Sequence, residues 1–127
     1  MDRGVARFVQ KEHIPDSALC RVGREVVAGR LCSGEADLGN GLFKKRVARA
    51  GSGKRDGYRM IIAYRPPRAD RVLLVFAFAK NAASNLRTES RDLLAAAAAL
   101  VLVASDEAIR VLLADGELRE VECDADG

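Results

Sequence analysis

Between Pro15 and Gly29 the apolar residues Leu19, Val22, Val26 and Val27 recur at three- and four-residue steps, the spacing of one helical face. The pattern predicts a helix over residues 17–28, with Asp16 or Ser17 as its cap and Gly29 as its stop. A shorter helical stretch, residues 5–11, precedes it. Beyond residue 41 the period changes to two. Alternation over residues 42–49 puts Phe43, Lys45, Val47 and Arg49 on one face and Leu42, Lys44, Arg46 and Ala48 on the other. Neither face is cleanly apolar, which predicts a strand at or near the open side of a sheet, where basic side chains can point at a ligand. Residues 50–57 are rich in turn formers and predict a long hairpin loop, and residues 58–64 are rich in strand formers.

After Pro66-Pro67, residues 71–79 form a nearly continuous apolar run, which reads as a central strand covered on both faces. Residues 88–104, with the run Ala95 to Ala99, predict a helix capped by Thr88 or Ser84. A short helix over 106–113 follows, and residues 117–123 alternate like a brief strand or an extended tail. Two helices, three strands, a helix and a tail make an α+β domain on an antiparallel sheet. With 127 residues the expectation is one domain, 1–127, with an acidic extension over about 105–127.

Charge sharpens this picture. The net charge is only +3, but residues 41–87 carry 12 basic and 2 acidic side chains, while residues 88–127 carry 3 basic and 10 acidic. A middle third at +10 points to a polyanionic partner such as nucleic acid, and the acidic end is not part of that contact. The apolar share of 49% excludes a disordered chain.

Other chemistry is excluded by spacing. Cys20, Cys32 and Cys123 form no C-x-x-C pair, and one histidine leaves a Cys/His zinc site short of ligands. The odd cysteine count and the absence of a signal-peptide pattern predict a reducing, cytoplasmic setting. The longest apolar run, 93–104, is short of the ~20 residues that span a bilayer, so no membrane partner is expected. That run leaves a homodimer and a hetero-oligomer as the two assemblies to weigh. Gly51-Ser52-Gly53-Lys54 lacks the upstream glycine of a phosphate loop, where Ala48 stands, and the hydroxyl after the lysine, where Arg55 stands. His13 sits at a helix boundary with no nucleophile beside it, and Asp56 and Asp70 are separate loop residues. Neither cofactor nor metal is expected.

The remaining candidates are cations. Arg59 lies inside an otherwise apolar strand and Lys80 ends the most apolar one; charges so placed need partners or a cleft. Arg59, Lys80 and Lys45 are the candidate catalytic residues, with Lys44, Arg46, Arg49, Lys54 and Arg55 as candidate RNA-binding residues. Such a cluster suits phosphodiester chemistry, because guanidinium and ammonium groups stabilise charge developing on phosphorus without a metal.

The ordered blocks Asp37-Leu38-Gly39-x-Gly41-Leu42-x-Lys44-Lys45-Arg46-Val47, Gly53-Lys54-Arg55-x-Gly57-Tyr58-Arg59, Phe76-Ala77-Phe78-Ala79-Lys80-Asn81 with Asn85-Leu86, and Ala114-Asp115-Gly116-Glu117-Leu118 resemble the RelE/HigB branch of bacterial type II toxins. The similarity extends from about Ala6 to Val121. It implies a compact microbial-ribonuclease-like fold, with an N-terminal helix pair on a three- to four-stranded antiparallel sheet and a C-terminal helix. It implies cleavage of mRNA on the ribosome and inhibition of translation. It also implies neutralisation by a cognate antitoxin that commonly carries a helix-turn-helix. Arg59 matches the arginine of transition-state stabilisation, Lys80 the basic residue after the last strand, and Lys44 with Lys45 or Arg46 the basic residues of the first hairpin strand. The C-terminal tyrosine of RelE falls near Leu86, and Ala82-Ala83 replace a charged pair. These departures keep a second reading open, a catalytically degenerate homologue or a basic RNA-binding module.

Overall fold

The computed structural model describes residues 1–30, 35–49, 53–64, 71–79 and 88–123, with the backbone alone for 48, 49, 53–56 and 88. Two helices open the chain, α1 (Arg3–Glu12) and α2 (Asp16–Val27). The Asp2 carboxylate caps α1 by accepting from the Gly4 N–H at 2.8 Å. His13 ends α1 in a left-handed conformation, φ 55°. At α2 the N-cap is Pro15, with no side-chain cap, and Asp16 belongs to the first turn, where its charge favours the helix dipole.

The four strands β1 (Ala36–Gly39), β2 (Leu42–Arg49), β3 (Gly53–Ala63) and β4 (Leu73–Ala79) form one antiparallel sheet in the order β1-β2-β3-β4. Asn40 and Gly41, both at positive φ, are the two-residue turn that joins β1 to β2. The long loop expected over 50–57 is shorter. Pairing of Arg49 with Gly53 extends β3 backward, because the partner strand fixes a backbone whose own residues prefer turns. The other correction concerns β4, which is an edge strand rather than the central one. Its apolar run answers to helices on both faces, not to strands on both sides. The Asp2 N–H donates to the Leu74 carbonyl at 2.9 Å and blunts part of the free edge.

On one face, Val5 and Val9 of α1 and Leu19, Val22 and Val26 of α2 pack on Val47, Tyr58, Met60, Ile62 and Leu74. On the other, Ala95, Ala98 and Leu102 of α3 (Thr88–Val103) pack on Leu42, Ile61, Ala63, Leu73 and Phe78. Arg71 pins the C-terminal end of α3 by donating to the carbonyls of Val101, Leu102 and Ala104 and to the Asp106 carboxylate. The last helix, α4 (Asp106–Ala114), is capped by the Ser105 hydroxyl and buries no residue fully. Residues 117–123 make only an isolated bridge, Leu118 to Asp2, rather than a strand.

Cys20 of α2 and Cys123 are joined by a disulfide across 103 residues of sequence. This corrects the expectation of reduced thiols. An odd count argues against all three cysteines being paired, not against a single pair, and these two are neighbours only in the fold. No helix among the described residues is long and apolar enough to cross a membrane.

Candidate nucleic-acid interface

Strand alternation divides the basic residues of β2. Lys44 and Arg46 point to the α3 face of the sheet with Leu42, while Lys45 points to the α2 face with Val47. In register, Arg46 stands directly opposite Arg59, and Arg59 opposite Phe78, so one row of this face runs Arg46, Arg59, Phe78. The next row is Lys44, Ile61, Phe76. Phe76 is 37% exposed, and its ring lies 5.7 Å from that of Phe78.

Two directly opposed guanidinium groups repel each other in a sheet. Burial lowers the Arg59 pKa below its ordinary value, the Arg46 charge pushes the same way, and Glu35 opposes both. Arg46 Nε and Arg59 Nη1 are buried and have no hydrogen-bond partner among the described residues. A guanidinium carries five N–H donors and no acceptor, so what satisfies this pair is an acceptor, and best an anion. The arrangement can hold a phosphodiester against the sheet and stabilise added negative charge on it.

Lys45 does not join this group. Its ammonium is fully buried, 0% exposed, and donates to Glu25 Oε2 at 2.9 Å, the Arg30 carbonyl at 2.9 Å and Glu35 Oε2 at 2.7 Å. All three N–H donors are taken, so the group has nothing left to offer a phosphate. Burial works to lower the Lys45 pKa, but the bonds and charges of Glu35 and Glu25 outweigh it and leave the value raised. Lys45, expected among the catalytic residues, is placed instead as a strut tying α2 and the residue before β1 to the sheet. Arg49, Lys54 and Arg55 belong to β2 and β3, where only their backbone is described, and Lys80 lies outside the described residues.

Sequence reasoning missed two residues of this face. The apolar run of residues 71–79 hides Phe76, which only the strand register places in the row of Lys44. Arg91 of α3 has its Nε buried and without a hydrogen-bond partner among the described residues, and it heads a stripe of small and apolar residues, Ala95, Ala98 and Leu102. His13 is exposed at the end of α1, on an element that packs against the opposite face. A cavity of about 690 Å³ lies elsewhere, between α2, α4 and residues 118–123, with Arg24, Arg71, Arg119 and Glu120 in its lining and none of the β2 or β3 cations. Among the described residues no three His, Cys, Asp or Glu side chains gather as metal ligands would.

No curated protein matches the chain significantly. Residues 1–121 match the family described as the RelE toxin of the RelE/RelB toxin-antitoxin system, and the α+β architecture, four helices and a four-stranded antiparallel sheet among the described residues, agrees with it. The chain belongs to the RelE toxin family and is the toxin of a toxin-antitoxin pair.

Proposed function

We propose that the protein is a metal-independent endoribonuclease that cleaves mRNA on the ribosome and so inhibits translation. The observation that carries this reading is the opposed Arg46 and Arg59, with buried donors awaiting an anion. In the reaction the 2′-hydroxyl oxygen attacks the adjacent phosphorus, the bond to the 5′-oxygen breaks, and a 2′,3′-cyclic phosphate and a 5′-hydroxyl result. Arg59, with Lys80 from the segment after β4, stabilises the extra charge on the phosphoryl oxygens. Lys44 and Arg46 hold the backbone, Arg49, Lys54 and Arg55 extend the basic contact, and the exposed ring of Phe76 offers a surface on which a base stacks. The setting is cytoplasmic, where the ribosome is and where the Cys20–Cys123 bridge meets a reducing thiol pool, and a cognate antitoxin with a helix-turn-helix neutralises the activity.

Induced expression in bacteria with mapping of mRNA 5′ ends tests the proposal. New ends within translated codons and growth arrest are expected, both lost in Arg59→Ala. Intact transcripts and normal growth refute it. A second reading, a toxin homologue that binds RNA without cutting it, is favoured by the placement of the candidate bases: among the described residues Lys45 is turned away from this face and His13 lies on an element of the other one. Binding without new ends in a cell-free translation extract selects that reading.

A further inference from the structure

We propose that Arg91 is a third phosphate-contacting residue, reaching the RNA backbone from α3 while Arg46 and Arg59 reach it from the sheet; this rests on reading that face as an RNA site. The buried side-chain polar atoms without a partner among the described residues are Arg46 Nε, Arg59 Nη1 and Arg91 Nε. All three belong to arginines of one layer of the molecule, the space between α3 and its face of the sheet.

The direction of α3 brings Arg91 to the correct end. Arg71 stands two residues ahead of β4 and binds the carbonyls at 101, 102 and 104, so the helix C-terminus lies at the Leu73 end of the sheet. The helix therefore runs back along the sheet, and its first turns lie toward the Phe78 end, the row that holds Arg46 and Arg59. Arg91 is one turn ahead of Ala95 and on the same stripe as the buried Ala95, Ala98 and Leu102, whose side chains pack on this face. Its exposed neighbours Glu89 and Asp92 fall off that stripe.

An arginine at a position whose helical neighbours are Ala and Leu has no packing advantage over leucine, and its buried donor costs stability while unmet. Adjacent phosphodiesters of single-stranded RNA supply acceptors of the right charge at several points along one strand. Three guanidinium groups spread over two elements fit such a ligand better than a single small anion.

The test is fluorescence anisotropy with a 2′-O-methyl oligonucleotide, which binds but cannot be cut, over a series of KCl concentrations. Wild type, Arg91→Leu, Arg91→Lys and Arg59→Ala are compared, each with its thermal midpoint. Arg91→Leu is expected to weaken binding about tenfold. It should also reduce the slope of log K against log salt by about 0.7, one phosphate's worth for a single strand. Arg91→Lys should recover the slope, and the midpoint of Arg91→Leu should stay level or rise. Wild-type affinity and slope in Arg91→Leu, with Arg59→Ala impaired, overturn the role of Arg91 alone. Weakened binding with an unchanged slope and a lower midpoint also overturns it, as a structural effect. Failure of the wild type to bind the oligonucleotide overturns the RNA-face reading itself.

Discussion

Replacing Lys45 with methionine separates a strut from a catalyst. The side chain is 0% exposed, and its ammonium satisfies Glu35, whose side chain is 5% exposed, and Glu25, at 27%. Methionine keeps most of the volume and removes the charge, leaving two carboxylates facing one vacated position. Removing one partner of a buried ion pair costs about 3–5 kcal/mol. An unfolding entropy of roughly 2.1 cal/mol/K per residue gives about 0.27 kcal/mol/K for this chain, so the thermal midpoint should fall by about 11–19 °C. The assay is thermal unfolding followed by circular dichroism, with urea unfolding at 25 °C as a check. A triple variant, Lys45→Met with Glu25→Leu and Glu35→Leu, should regain much of the loss, because an apolar trio needs no counter-charge. A midpoint within about 4 °C of wild type, together with abolished RNA cleavage, would refute the argument and return Lys45 to the reaction.

The same group sets an alkaline limit. Because the folded Lys45 pKa lies above its ordinary 10.5, its contribution is fully present below that value and is lost as pH rises through the folded pKa; urea midpoints at pH 9 and 11 should show a steeper fall in wild type than in Lys45→Met. Arg59→Met should raise the thermal midpoint, by removing a buried unmet donor and a like-charge contact, while mRNA end mapping shows cleavage reduced about 10²–10³-fold. Phe76→Ala, at an exposed ring, should leave the midpoint nearly unchanged and weaken oligonucleotide binding by about 1–3 kcal/mol, measured by anisotropy. Cys20→Ser removes a cross-link closing 103 residues and should lower stability by about 2–5 kcal/mol, and added dithiothreitol should bring the wild type down to the variant.

Helices α1 to α3 were legible because each buries one stripe, and the 19/22/26 spacing of α2 survives intact in the core. The strand-level alternation of β2 was equally legible, and it already separates Lys45 from Lys44 and Arg46. What sequence did not carry was which face meets the helix pair and which meets α3, since both faces mix charge with apolar residues. The edge position of β4 was hidden for a related reason: a strand sandwiched between helices reads like one sandwiched between strands. Arg91 was illegible because a single cation in an alanine-rich helix looks like a solubilising residue until the helix has a direction.

Contacts between residues 1–20 and residues 117–123 join parts of the chain that are far apart in sequence. Asp2 pairs with Leu118, Arg3 with Glu117, the Met1 amino group with the Arg119 carbonyl, and Cys20 with Cys123. Helix α1 lies on β4 and its start is held by residues synthesised more than a hundred positions later. Loss of residues 117–123 would therefore unpin the start of α1, the helix that lies against β4.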